Sequence, residues 1–196
     1  MVDQQLVDVG GYRLALRRAG VGRPPVVLEA GMGQGASSWE ALLEAVAAFT
    51  QVVAYDRAGV GASEAAPTPR SGPEVVRDLQ ALLRAVQIPG PYVLVGHSLG
   101  GLLVRVYTQQ YPDEVAGLVL LDAPHPAYPQ RALALLPPPT EGECAEVRES
   151  RHFFAQGIHD PATNPEGINL GILCQQAQAG GSVGTRPLAV ISACQH

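Results

Sequence analysis

The run Gly96-His97-Ser98-Leu99-Gly100-Gly101 has the residue types and spacing for nucleophilic chemistry. An apolar stretch of strand length, Tyr92 to Val95, stops at Gly96, and a helix-forming run, Leu102 to Tyr111, starts almost at once. The chain must reverse between Gly96 and Gly100, a turn so tight that its central residue is strained. Glycine on both sides of Ser98 removes the side chains that would collide across the turn. Ser98 is thereby lifted to the tip, and the amides that open the following helix point at whatever its hydroxyl attacks.

The elements needed to hold such a turn are legible around it. Leu6 to Val9 and Tyr12 to Arg17 alternate apolar and polar residues about Gly10-Gly11, as a hairpin with one wet face does. Pro25 to Ala30 and Gln51 to Tyr55 are short apolar runs, as expected of interior parallel strands. Between them, Gly31-Met32-Gly33-Gln34-Gly35 is a loop, and Ser37 or Ser38 caps a helix running to about Phe49 with Trp39, Leu42, Leu43 and Val46 on one stripe. A second helix starts at Gly72-Pro73-Glu74 and turns Val75, Leu79, Leu82, Leu83 and Val86 inward. Val115 to Asp122 is a further buried strand. The alternation predicts an α/β architecture: a mostly parallel central sheet with helices on both faces. Residues 123–186 are rich in Pro, Gly and polar residues, with weak helical stretches such as Glu143 to Phe154. They are expected to lie over Ser98 as a lid that, Phe153 and Phe154 apart, is poor in aromatic stacking surface, within a single domain spanning residues 1–196. The strand pattern returns once, at Pro187 to Ala193.

Composition narrows the function. Net charge is −5, there is no Lys, and the thirteen Arg are scattered, which excludes a basic stripe for nucleic acid. Cys144, Cys174 and Cys194 match no metal-ligand spacing and read as free thiols of a reducing cytoplasm. Neither a signal peptide nor an apolar run of membrane-spanning length is evident, so a cytoplasmic protein with no membrane partner is expected.

Four features, in order, resemble the α/β-hydrolase family: the glycine loop at 31–35, the segment Asp56-Arg57-Ala58-Gly59-Val60-Gly61-Ala62-Ser63, the turn at Ser98, and the strand ending at Asp122. The resemblance implies that Ser98 attacks a carbonyl carbon, most often of an ester, to form an acyl-enzyme that a His-activated water then releases. It also implies an oxyanion hole made by the backbone amides of Met32 and Leu99. The family often carries His-Gly ahead of the first donor, where this chain has Ala30-Gly31. Asp56 and Arg57 are expected to brace loops, His97 to point away from the attacking oxygen, and Trp39 to fill the core. No metal or organic cofactor is implied. The partner is a small acyl substrate.

The family usually places its acid after the seventh strand and its base His after an eighth. The seventh strand here is followed only by Cys194-Gln195-His196, so the chain reads as truncated at its C-terminus, with the last strand and helix missing. Asp122 and His125 are the surrogate acid and base, though they lie close together in sequence. An uncovered sheet edge predicts marginal stability and self-association. The expectation is therefore a serine hydrolase, weak or inactive as this chain stands. The alternative is a non-catalytic binding module or fragment of the same fold lacking the catalytic His.

Overall fold

The computed structural model describes residues 2–192, so Cys194 and His196 lie outside the described residues. Seven strands form one sheet: β1 (Asp3–Asp8), β2 (Arg13–Ala19), β3 (Val26–Glu29), β4 (Val52–Tyr55), β5 (Tyr92–His97), β6 (Val115–Leu121) and β7 (Leu188–Ile191). Their spatial order is β1-β2-β4-β3-β5-β6-β7; β1 and β2 join antiparallel and all other neighbours from β4 to β7 are parallel.

Side-chain alternation divides the core in two. Val27, Val53 and Leu94 face helices α2 (Gly72–Ala85), α3 (Leu99–Gln110) and α6 (Leu170–Ala179). Their sequence neighbours Val26, Leu28, Val52, Ala54 and Val95 face α1 (Glu40–Ala47) and Trp39. Every residue of β3 and β4 is buried, which is why those strands read as unbroken apolar runs. By contrast, all four residues of β7 are exposed at the sheet edge.

The topology itself locates a crevice. From β3 the chain passes to β4 on one side, then returns to β5 on the other, so the loops leaving β3 and β5 part from each other at the carboxyl rim. Register brings their ends level, with Glu29 opposite Gly96 and His97 opposite Leu121. Open α/β sheets bind ligands at such a switch point.

Three local expectations are revised. The first helix is a 3-10 turn at Ala36–Trp39 continuing as α1, and the helix after Ser98 starts at Leu99, three residues earlier than the apolar run suggests. The stretch between β6 and β7 is more helical than its composition implies: α4 (Tyr128–Leu135), α5 (Ala145–Ala155) and α6, the last packed into the core through Leu170, Leu173, Cys174 and Ala177. Its signal was present in the sequence. Asn169 caps α6 by accepting the Ile172 amide, and Gly180 follows its last turn.

Candidate active site

Ser98 sits at φ 49°, ψ −118°, a conformation rarely tolerated by a residue with a β carbon. Its amide donates to the Leu121 carbonyl (3.0 Å), and its carbonyl accepts from Gly101 (2.9 Å), so both neighbours of the turn hold it in place. Gly96 makes the turn possible, since a β carbon there would lie 2.6 Å from the Gly100 carbonyl oxygen.

The Ser98 side opens into a cavity of about 460 Å3 whose walls include Met32, Leu99, Leu102, Asp122, Ala123, Leu170 and Cys174. Tyr128, Phe153 and Phe154 close it from α4 and α5, with Tyr128 edge-on to Phe154 at 5.4 Å and Phe154 edge-on to Phe153 at 5.3 Å. This aromatic wall extends the expectation of a covering segment with little stacking surface beyond Phe153 and Phe154: Tyr128 and Phe154, 26 apart in sequence, meet because α4 and α5 pack side by side. A larger cleft, about 590 Å3, lies at the opposite end of β5 around Pro89 to Tyr92, and holds no nucleophile.

The two expected oxyanion donors border the same space. Leu99 opens α3, where a helix has amides without intrahelical acceptors, and neither its N–H nor that of Met32 finds an acceptor among the described residues. The loop carrying Met32 is fastened from below. Arg57, 2% exposed, donates to the carbonyls of Ala30 and Gly31 (both 2.6 Å), to Glu29 (2.6 Å), and through two nitrogens to Glu166 (2.5 and 2.8 Å). Glu166 in turn accepts the Gly33 amide at 2.8 Å. Burial pulls the Arg57 guanidinium down, but the hydrogen bond it donates to Glu166 and the charges of Glu29 and Glu166 outweigh it, leaving the group above its ordinary value. Burial pushes Glu29 up, against the opposing pull of Arg57 and the Tyr55 hydroxyl, which donates to it at 2.6 Å.

Asp56 braces the rim in a different way, accepting amides from Ala36 (2.7 Å) and Ala62 (2.9 Å). His97 faces Gln34 (3.1 Å) and the edge of Trp39, away from the cavity.

Of the surrogate acid and base, Asp122 lines the cavity and also has positive φ, 44°. His125 does not line it. Its Nδ1 accepts the Ala127 amide (3.1 Å), which leaves the proton of the neutral ring on Nε2, and no hydrogen bond joins it to Asp122. The structure thus brings Ser98, Met32, Leu99 and Asp122 to one cavity and leaves His125 out. Among the described residues no histidine lines that cavity, and no three His, Cys, Asp or Glu side chains cluster to hold a metal ion. Nor, among those residues, is any helix long and apolar enough to cross a membrane. Sequence reasoning missed Glu166, which lies 109 residues from its partner Arg57 in a stretch without periodic pattern.

Residues 24–147 match the family described as alpha/beta hydrolase fold. A putative carbamate hydrolase of Azorhizobium caulinodans is 38% identical over 98 residues, half of this chain and 37% of that protein. The human (lyso)-N-acylphosphatidylethanolamine lipase is 33% identical over 104 residues, 51% of this chain and 30% of that protein. The chain thus spans well under half the length of these relatives. The crystal structure of a hydrolase from Pseudomonas aeruginosa PA01 superposes with a TM-score of 0.67 over 97% of this chain and 80% of that one, at 22% identity.

Proposed function

Because this chain belongs to the α/β-hydrolase fold family, we propose that it acts by serine acyl chemistry. Ser98 attacks the carbonyl carbon of a small, uncharged ester or related acyl compound, and the Met32 and Leu99 amides receive the oxyanion. One observation carries this reading: Ser98 is held at a strained positive φ on the floor of a cavity that Met32 and Leu99 also border. Among the described residues the cavity has one carboxylate, Asp122, and walls of aliphatic and aromatic carbon, which disfavours an anionic acyl group and favours an apolar one.

The base is the weak link. Asp122 is the carboxylate that shares the cavity with Ser98, and His125 would have to release the Ala127 amide and turn its ring to serve. Turnover is therefore slow, since removing a triad His costs on the order of a million-fold while oxyanion and binding contributions persist. A second reading, a module that binds an apolar ligand in this cavity without turnover, is supported by the lack of a histidine in the cavity among the described residues. The exposed apolar strand β7 favours self-association in either case.

The deciding experiment combines a p-nitrophenyl acetate burst with mass spectrometry after a fluorophosphonate probe, comparing the unsubstituted chain with Ser98→Ala. Label and burst confined to Ser98 support the hydrolase reading. A folded protein that takes neither is a binding module.

A further inference from the structure

We infer that Glu166 and Arg57 are positioning residues that fix the direction of the Met32 amide; the inference rests on reading that amide as an oxyanion donor.

The argument is one of peptide geometry. The Gly31 carbonyl and the Met32 N–H belong to one peptide plane, and in a trans plane they point in opposite directions. Arg57 Nη2 holds the Gly31 carbonyl at 2.6 Å from the buried side, so the Met32 N–H is turned the other way, toward the cavity that Met32 borders. The next peptide is pinned as well, because the Gly33 amide donates to Glu166 Oε1 at 2.8 Å. Met32 is therefore clamped on both sides by one ion pair, whose two members hydrogen-bond each other through two contacts.

Neither member could hold the loop alone. Arg57 lies between Glu29 and Glu166, and without Glu166 its Nε would face no acceptor while the Gly33 amide lost its own. All three side chains are at most 2% exposed, so water cannot substitute. A donor bonded through its carbonyl to a guanidinium is also polarised, which strengthens the N–H on the far side of the plane. Glu166 comes from the segment between β6 and β7, so the same segment that walls the cavity sets the aim of a group at its floor.

The test has a readout that needs no catalysis. In the unsubstituted protein, nuclear magnetic resonance should show the Gly33 amide exchanging at least a hundredfold more slowly than that of exposed Gly142. Exchange as fast as Gly142 overturns the clamp even if every variant misfolds. In Glu166→Gln, Gly33 protection should fall and the residual dipolar coupling of the Met32 N–H, which reports its direction, should change while couplings in β5 stay put. An unchanged Met32 coupling beside a loosened Gly33 overturns the positioning role. Where Ser98 takes a fluorophosphonate label, Glu166→Gln should lower the rate at saturating probe roughly 10- to 100-fold, a fraction of the loss expected from deleting a donor outright, with half-saturation unchanged. A merely structural Glu166 would lower stability and leave that split alone. If Ser98 takes no label at all, the acyl-chemistry reading falls, and exchange and coupling still decide the clamp.

Discussion

Gly100, in the first turn of α3, lies against the carbonyl of Glu29 at the end of β3: a β carbon on Gly100 would stand 2.2 Å from that oxygen. The helix that follows Ser98 and the strand that launches the Met32 loop are thus in contact backbone to backbone, with no side chain between them to yield. Gly100→Ala should therefore push α3 off β3, destabilising the fold by about 1–3 kcal/mol or more, as overpacking does. It should also abolish labelling of Ser98 in whatever fraction remains folded. Urea unfolding read beside probe labelling separates the two effects.

Phe154 stands in the wall shared by the Ser98 cavity and a smaller one of about 160 Å3 lined by Gln130, Leu133 and His159. Truncating it should join the two spaces. Phe154→Ala is expected to shift preference from acetyl toward hexanoyl or longer p-nitrophenyl esters by roughly tenfold in relative kcat/KM, the scale set by a few methylenes in an apolar pocket. Rates across a chain-length series measure the shift.

Cys174 lines the same cavity, and burial pushes its thiol up to about 11. The thiolate is the reactive form, so Cys174 should resist iodoacetamide at neutral pH, where exposed Cys144 is alkylated. Its labelling should rise as pH approaches 11, and an apolar ligand seated in the cavity should slow it. Peptide mapping across a pH series, with and without ligand, checks both.

Ser71 and Glu74 form a reciprocal cap on α2, with the Glu74 carboxylate accepting from the Ser71 amide and hydroxyl. Those two bonds hold Glu74 below its ordinary value of 4.5. Because the folded form favours the charged carboxylate, its stabilisation is present above pH 4.5 and is lost as pH falls through the lowered native value. Glu74→Gln should melt lower by a few degrees at pH 7, about 1 kcal/mol at most for a cap of this kind. The gap should narrow below pH 4. Thermal scans of both proteins at several pH values would show it.

What the sequence made legible follows from the range of the interactions involved. The turn at Ser98, the hairpin about Gly10-Gly11 and the inward stripe of α2 are local patterns, so spacing alone exposes them. The cap of α6 was equally local, in Asn169 and Gly180, and was obscured by the Pro- and Gly-rich composition on either side. The clamp on Met32 was not readable, because it joins Glu29, Arg57 and Glu166 from three separate segments and no periodicity marks a buried charge. The cavity's aromatic wall was hidden likewise: Phe153 and Phe154 were visible as a pair, but Tyr128 joins them only through the packing of α4 on α5. His125 illustrates the reverse error. Its position beside Asp122 suggested a base, while the backbone amide of Ala127 had already claimed the ring nitrogen facing the chain.

The Glu166–Arg57 contact also governs traffic. Lifting residue 166 away from the sheet would leave the buried Arg57 with Glu29 as its one carboxylate and its Nε unpaired, a rupture costing several kcal/mol, so this part of the covering segment is a hasp and not a door. Among the described residues, α4 and α5 carry no buried ion pair to the sheet; α5 is tied through Arg151 to Glu143 and the Pro137 carbonyl instead. α5 buries none of its residues and α4 only Pro129, yet between them they supply the aromatic wall over Ser98. Ser98 is already partly exposed at the cavity mouth, so what α4 and α5 can change by giving way is the size of molecule the cavity admits, while the 160s stay latched and the Met32 amide keeps its aim throughout.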